Sequence, residues 1–192
     1  MNLVFASHNN HKIEEIQQLL PSNFILKSLN DVGIFEDIPE TAETIEGNAF
    51  LKANFVYKKL HENCFADDTG LEVEALKGAP GVHSARFAGE HKNSEDNIDK
   101  LLNELGNTTH RTAQFKTVIC LYFNHKIYKF TGICKGKILA ERQGTQGFGY
   151  DAIFIPEGYQ QSFAELSLED KNKISHRGLA VKQLVDFLKT AR

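Results

Sequence analysis

Cys64-Phe65-Ala66-Asp67-Asp68-Thr69-Gly70 is a short run of small and apolar residues that ends in two adjacent carboxylates and a Thr-Gly pair. It reads as a strand that buries its apolar residues and then turns at Gly70, carrying Asp67 and Asp68 to the mouth of a sheet. Successive side chains of a strand point to opposite faces, so at most one of the two acids readily faces a given ligand. Acids at a strand's end, beside a cleft, suggest a metal site.

Upstream of this stretch the pattern alternates. Asn2-Leu3-Val4-Phe5-Ala6 reads as a strand, His11 to Leu20 as a helix and Phe24 to Leu29 as a second strand, followed by an acidic loop from Asp31 to Glu40. A helix is expected from Thr44 to His61, because Ile45, Ala49, Ala53, Val56 and Leu60 recur at helical spacing. Thr41 or Thr44 can cap it.

Downstream, a glycine-rich loop at Lys77-Gly78-Ala79-Pro80-Gly81 precedes a polar helix from Ser94 to Leu105 that turns Ile98, Leu101, Leu102 and Leu105 inward and ends at Gly106. Thr112 to Phe123 and Lys126 to Leu139, joined by Asn124-His125, read as a long antiparallel hairpin. Ala152 to Ile155 reads as a strand, and Ser175 to Lys189 as a helix with Val181, Leu184, Val185 and Leu188 buried. The expected fold class is α/β: a mixed sheet with flanking helices, a long antiparallel hairpin forming a second lobe, and a cleft between the lobes. Residues 1–192 then form a single domain of two lobes.

The composition agrees with a globular chain. Its 192 residues are 41% hydrophobic and 24% charged, enough to bury about 70% of the unfolded surface without staples. The three cysteines, Cys64, Cys120 and Cys134, lack CxxC spacing and zinc-type His partners, so they read as buried thiols in a reducing compartment. No basic leader precedes the first strand and no apolar run approaches about 18 residues, which predicts a cytoplasmic protein with no membrane contact. A formal charge of -3 gives no general attraction to nucleic acid, although a local basic pocket for one polyphosphate is compatible with it.

Four polar clusters interrupt the apolar pattern. Ser7-His8-Asn9-Asn10-His11-Lys12 lies between the first strand and first helix, where backbone N–H groups and an ammonium can hold phosphate oxygens. It lacks the glycines of a Walker loop, and Ser and Asn are also ordinary helix caps. Glu40-Thr41-Ala42-Glu43-Thr44 leads into the helix that carries Asn48 and Lys52, four apart and on one face. The helix dipole explains Glu43 and Glu46 better than it explains Glu40. Asp67-Asp68 is the third cluster. The fourth is Gly147-Phe148-Gly149-Tyr150-Asp151 with Lys171 and Ser175-His176-Arg177-Gly178. Its glycines leave the Phe148 face open to a stacked base, and its two basic residues stand at a helix start that disfavours them.

Ser7-x-Asn9-x-x-Lys12, Glu40-Thr41, Asn48-Ala49-x-x-Lys52-Ala53, Ala66 to Leu71, Gly78-Ala79-Pro80-Gly81 with Ser84-Ala85-Arg86, Gly147 to Asp151 and Ser175-His176-Arg177-Gly178 together resemble the inosine triphosphate pyrophosphatase family, nucleotidases for non-standard purines. The resemblance covers nearly the whole chain. Thr69 stands where Ser is commoner, Gln146 where Gly often precedes the Phe-Gly-Tyr-Asp motif, Gly47 where an acid is frequent, and Ala152 where Pro usually follows. No charged catalytic position is lost.

The resemblance implies a homodimeric enzyme that hydrolyses ITP, dITP or XTP to the monophosphate and pyrophosphate with Mg2+. Glu40 and Asp68 are the expected metal ligands, with Asp67 in support. Asp68 is the expected base or water-orienting group, and Lys12 and Lys52 the groups that neutralise charge. Ser7, His8, Asn9, Asn10, His11, Lys12, Thr69, Phe148, Gly149, Tyr150, Asp151, Lys171, His176 and Arg177 are the expected substrate contacts. Phe148 would stack on the purine, and donors from Lys171, His176 or Arg177 would favour a 6-keto oxygen over an amino group. Tyr150 has an alternative as a core residue with a satisfied hydroxyl. Two other functions compete: a nucleotide sensor without turnover, and a nucleic-acid module built on Phe115, Tyr122, Tyr128 and Phe130 of the hairpin. The hairpin lacks the dense basic stripe that the second requires.

Overall fold

The computed structural model describes residues 1–191. Its sheet has seven strands: β1 (Asn2–Phe5), β2 (Ile25–Lys27), β3 (Cys64–Val73), β4 (Pro80–Gly81), β5 (Thr112–Phe123), β6 (Lys126–Ile138) and β7 (Phe154–Pro156). The order is β2-β1-β3-β5-β6-β7, with β4 paired to β3. β1 runs parallel to β2 and β3, whereas β3–β4 and β6–β7 are antiparallel, so the sheet is mixed. Five α-helices accompany it: α1 (Asn10–Leu19), α2 (Ile45–Leu60), α3 (Ser94–Leu105), α4 (Leu168–Ile174) and α5 (His176–Thr190). None is long and apolar enough to cross a membrane.

The local chemistry of these elements follows their sequences. Thr44 caps α2 by accepting from the Gly47 N–H, Asn93 caps α3, and Asn9 caps α1 by accepting from the Lys12 N–H. Asn124 and His125 join β5 to β6 with φ of 48° and 63°, the doubly left-handed geometry that matches the twist of a two-residue hairpin.

The chain divides into two compact units. The first holds Met1–Asp68, Thr117–Gly132 and everything from Arg177 on; the second holds Thr69–Lys116 and Ile133–His176. The second unit therefore contains more than the base of the hairpin, since α3, α4 and β7 also belong to it.

Within the first unit, β3 sorts its side chains by parity. Phe65 joins Leu3, Phe5, Ile119 and Leu121 in a core closed by Ile16 of α1 and by Ala180, Val181, Leu184 and Leu188 of α5. On the opposite face, Cys64 sends its thiol to the Ala53 carbonyl of α2, and Tyr122 donates to Asn54 and stacks on Tyr57 at 4.3 Å. The hairpin aromatics are core: Phe115 and Tyr122 are buried, and Tyr128 and Phe130 pack on Phe187. The second unit has its own core, in which Leu71, Val73, Ile98, Leu101, Phe115, Phe154 and Phe163 meet.

Two expectations need correction. β3 does not turn at Gly70; it continues to Val73, because Leu71 and Glu72 pair with β4 and Leu71 and Val73 are apolar side chains buried in the second core. The acids therefore sit within a strand. The segment expected to be a strand from Ala152 begins instead as a 3-10 turn over Asp151–Ile153, and the pairing starts at Phe154.

All three cysteines are free and buried, and burial raises their thiols to about 12 for Cys64 and about 11 for Cys120 and Cys134. Treatment of the native protein at pH 8 with a thiol-exchange reagent should modify none of them within minutes. After unfolding in guanidinium all three should react, and prompt reaction of one thiol in the native protein would contradict this burial.

Candidate functional site

The two acids of β3 meet different partners because they face opposite sides of the sheet. Asp67 points toward α1 and α5. Its Oδ1 accepts from Lys12 Nζ at 2.8 Å and its Oδ2 from Arg177 Nε at 3.2 Å. Arg177 also donates through Nη1 to Glu15 Oε2 at 2.5 Å. Lys12 and Glu15 lie three apart on α1, hence on one face, and Arg177 is the second residue of α5. The Arg177 charge at that helix start, which the dipole alone disfavours, is thus explained by two buried carboxylates.

Asp68 points toward α2. Lys52 Nζ donates to Asp68 Oδ1 at 3.1 Å and to Glu40 Oε1 at 2.7 Å, bringing the acidic loop and the strand together on one ammonium. Asn48, one turn before Lys52, fixes the end of that loop by accepting from the Ala42 N–H at 2.9 Å. Asp68 Oδ2 is buried and accepts no hydrogen bond from any described residue. A buried carboxylate oxygen left so costs about 1–3 kcal/mol, and natural proteins keep such an atom where a ligand uses it.

The electrostatics separate the two acids. Burial pushes Asp67 upward, but the Lys12, Arg177 and Lys52 charges outweigh it and hold the carboxyl well below the usual range. Asp68 moves the other way, because burial dominates over the pull of Lys52 and Lys12, and Glu40 adds to the rise. Burial lowers Lys12 despite Asp67 beside it. Lys52 is raised: burial opposes its charge, yet Asp68, Glu40 and Asp67 outweigh that cost. Four carboxylates, Glu15, Glu40, Asp67 and Asp68, therefore surround three cations, Lys12, Lys52 and Arg177.

Hard oxygen donors suit Mg2+, which is commonly held by one or two carboxylates together with substrate phosphates. Glu40 and Asp68 fit that pattern, Asp68 through its unshared Oδ2. Among the described residues no group of three or more His, Cys, Asp or Glu gathers as an all-protein cage. Asp67, with one oxygen on Lys12 and the other on Arg177, is suited to holding those cations.

The other expected residues distribute as follows. Ser7 Oγ accepts from the Asn9 N–H, and Asn9 caps α1, while Asn10 and His11 are exposed at the start of that helix. The ring of His8 is directed elsewhere: Nδ1 lies 3.1 Å from Asn30 Oδ1 and Nε2 3.4 Å from the Glu36 carbonyl oxygen. That gives His8 a different partner set from the phosphate contact expected of it.

In the second unit, Lys171 Nζ donates to Asp151 Oδ2 at 2.8 Å and sits 5.2 Å from the centre of the half-buried Phe148 ring. Asp151 Oδ2 also accepts from the Phe148 N–H at 2.8 Å. A Cβ at Gly147 would lie 2.1 Å from that oxygen, so the glycine is required by close approach as well as by its φ of 78°. Tyr150 is buried and donates to the Ser84 carbonyl at 2.8 Å, which is the core alternative weighed for it. His176 is buried with its ring stacked 4.4 Å from Phe115. Thr69 follows Asp68 on β3 and is half-buried. The sequence reading missed Glu15, whose only local signal is its place three residues after Lys12 on α1.

Residues 3–187 match the model of the Ham1 family. The chain belongs to that family. The Ham1 relatives include a protein of Flavobacterium psychrophilum named dITP/XTP pyrophosphatase, 62% identical over 98% of this chain and 100% of the relative. One from Porphyromonas gingivalis with the same name is 54% identical over 99% of this chain and 98% of the relative. Among solved structures, the Ham1 protein of Staphylococcus aureus superposes with a TM-score of 0.90 at 41% identity over the full length of both chains. A dITP/XTP pyrophosphatase from Mycobacterium abscessus gives 0.77 at 39% identity, over 96% of this chain and 99% of that one. The Ham1 fold thus accounts for the mixed sheet and its helices over the whole described chain.

Proposed function

We propose that this protein hydrolyses non-standard purine nucleoside triphosphates, XTP, dITP and ITP, to the monophosphate and pyrophosphate, cleansing the nucleotide pool. The observation that carries this reading is the buried Asp68 Oδ2 beside Lys52 and near the charge of Lys12. The names of the Ham1 relatives support the substrate class.

Glu40 and Asp68 would hold Mg2+, which when bound supplies charge neutralisation along the triphosphate and an acidified water. Cleavage at the α phosphorus needs an oriented water and relief of charge on the departing pyrophosphate. Asp68 orients that water and takes its proton. Lys12 and Lys52 offset the charge that develops on phosphate oxygens, in a buried setting where such attraction is strong. Asp67 keeps Lys12 in place by charge and hydrogen bonding, and Arg177 in turn holds Asp67.

Base selection is assigned to Phe148, which offers a ring face, and to donors among Lys171, His176 and Arg177, which suit a 6-keto acceptor and are left unmatched by adenine. The protein acts as a homodimer in the cytoplasm in this reading.

A panel of nucleoside triphosphates with Mg2+, read separately for pyrophosphate and orthophosphate, tests substrate and bond together. XTP and dITP should release pyrophosphate far faster than ATP does. Orthophosphate release would relocate the cleaved bond, and binding without any release would leave a nucleotide sensor.

A further inference from the structure

We propose that His8 is a positioning residue that clamps the 30–36 segment so that Glu40 is presented to Lys52 and the metal. The inference rests on the pyrophosphatase reading above and extends it to a residue that touches none of the reacting groups.

The connection from β2 to α2 is long and mostly without regular structure after its short 3-10 turn at Asn30–Val32. Its first part is well secured. Leu29 and Ile34 are buried, and Asp31 Oδ2 accepts from both the Ser28 N–H and the Ser28 hydroxyl. Beyond Ile34 the chain emerges: Phe35 is 75% exposed, and Glu36 and Asp37 are exposed as well. Glu40 follows this exposed stretch, itself half-buried, and its carboxylate must reach a buried ammonium. Two holds flank it. Downstream, Asn48 takes the Ala42 N–H. Upstream, the hold is at Glu36.

Glu36 is gripped twice. Its side chain pairs with Lys59 of α2, but both partners are about half exposed, at 50% and 45%, and such surface pairs contribute little on their own. Its backbone carbonyl lies on His8 Nε2, and the other ring nitrogen of His8 lies on Asn30 Oδ1, at the beginning of the same segment. One imidazole thus lies against both ends of the 30–36 stretch, its single N–H donating to the oxygen that the tautomer faces. It is fixed to the loop between β1 and α1, the loop that also carries Ser7, Asn9 and Lys12. A ring with nitrogens on diverging edges does this where a single hydroxyl or amine would reach only one end.

The test uses the full chain with His8→Ala and His8→Gln, the latter keeping a donor in the same place. Hydrogen exchange of backbone amides in residues 34–42 is followed without metal or nucleotide, beside the Mg2+ concentration giving half-maximal XTP hydrolysis. Loss of the clamp in His8→Ala should speed exchange there about tenfold, the scale of one lost hydrogen-bonding contact, and raise the Mg2+ requirement about tenfold. Turnover at saturating Mg2+ should stay within about twofold, β1 and β3 amides should exchange as before, and His8→Gln should recover part of both effects.

Unchanged exchange or an unchanged Mg2+ requirement in His8→Ala would overturn the proposal. So would a uniform rise in exchange across the protein, which marks a general packing role. Wild-type protein that hydrolyses no XTP would defeat the functional reading instead, and the exchange arm would still decide whether His8 holds the segment.

Discussion

Asp68→Asn should lower pyrophosphate release from XTP roughly a thousandfold, the scale expected when a general base or a key electrostatic group is removed from a buried site. The substitution preserves volume and takes away a charge. Because burial already disfavours ionised Asp68, the amide should leave the unfolding midpoint close to that of the wild type, with Lys52 still paired to Glu40. Asp67→Asn should behave differently. Asp67 is 1% exposed and accepts from both Lys12 and Arg177, so losing its charge should cost stability as well as rate. Measuring turnover and melting for both variants separates the two acids. Full activity in Asp68→Asn would place the chemistry elsewhere.

The second large effect is on stability. Arg177→Ala takes the guanidinium away from both Glu15 and Asp67, in a buried setting. Breaking one partner of such a network costs about 3–5 kcal/mol, which lowers the melting temperature by about 6–20 °C in a chain of this size. Arg177→Met combined with Glu15→Gln removes both charges and should recover much of the loss, since Asp67 keeps Lys12. A single variant that melts within a degree or two of the wild type would show that the network contributes little. Kinetics on the same variant bear on base selection: a higher KM for ITP and a smaller advantage over ATP are expected.

The helical parts of the fold were legible where periodicity and caps agreed. α2 shows Ile45, Ala49, Ala53 and Val56 on one face and begins at the Thr44 cap. α3 runs over the expected residues for the same reason. α4 went unread because seven residues, Leu168–Ile174, hold too few apolar side chains to show a period. Asp67 to Gly70 misled because an Asp-Thr-Gly run favours turns locally, while the strand runs on through it between β1 and β5 and pairs with β4 beyond it, at Leu71 and Glu72, partners that lie far off in the chain.

The candidate site was legible as a set of residues, and its division of labour was not. Lys52, Glu40 and Asp68 were grouped by their expected roles, and they do meet on one ammonium. The contact of Arg177 with Glu15 joins residues 162 positions apart, and no local pattern encodes it. The burial of the His176 ring against Phe115 and the direction of His8 toward Glu36 are likewise tertiary facts.

The parity of β3 constrains how this sequence can change over generations. Deleting or inserting one residue between Phe65 and Asp67 would flip the two acids relative to the Phe65 ring, so that either the carboxylates meet the wrong ammonium groups or the ring leaves its core. Length variation across this strand should therefore be purged from related lineages, while drift proceeds through substitutions that keep the count.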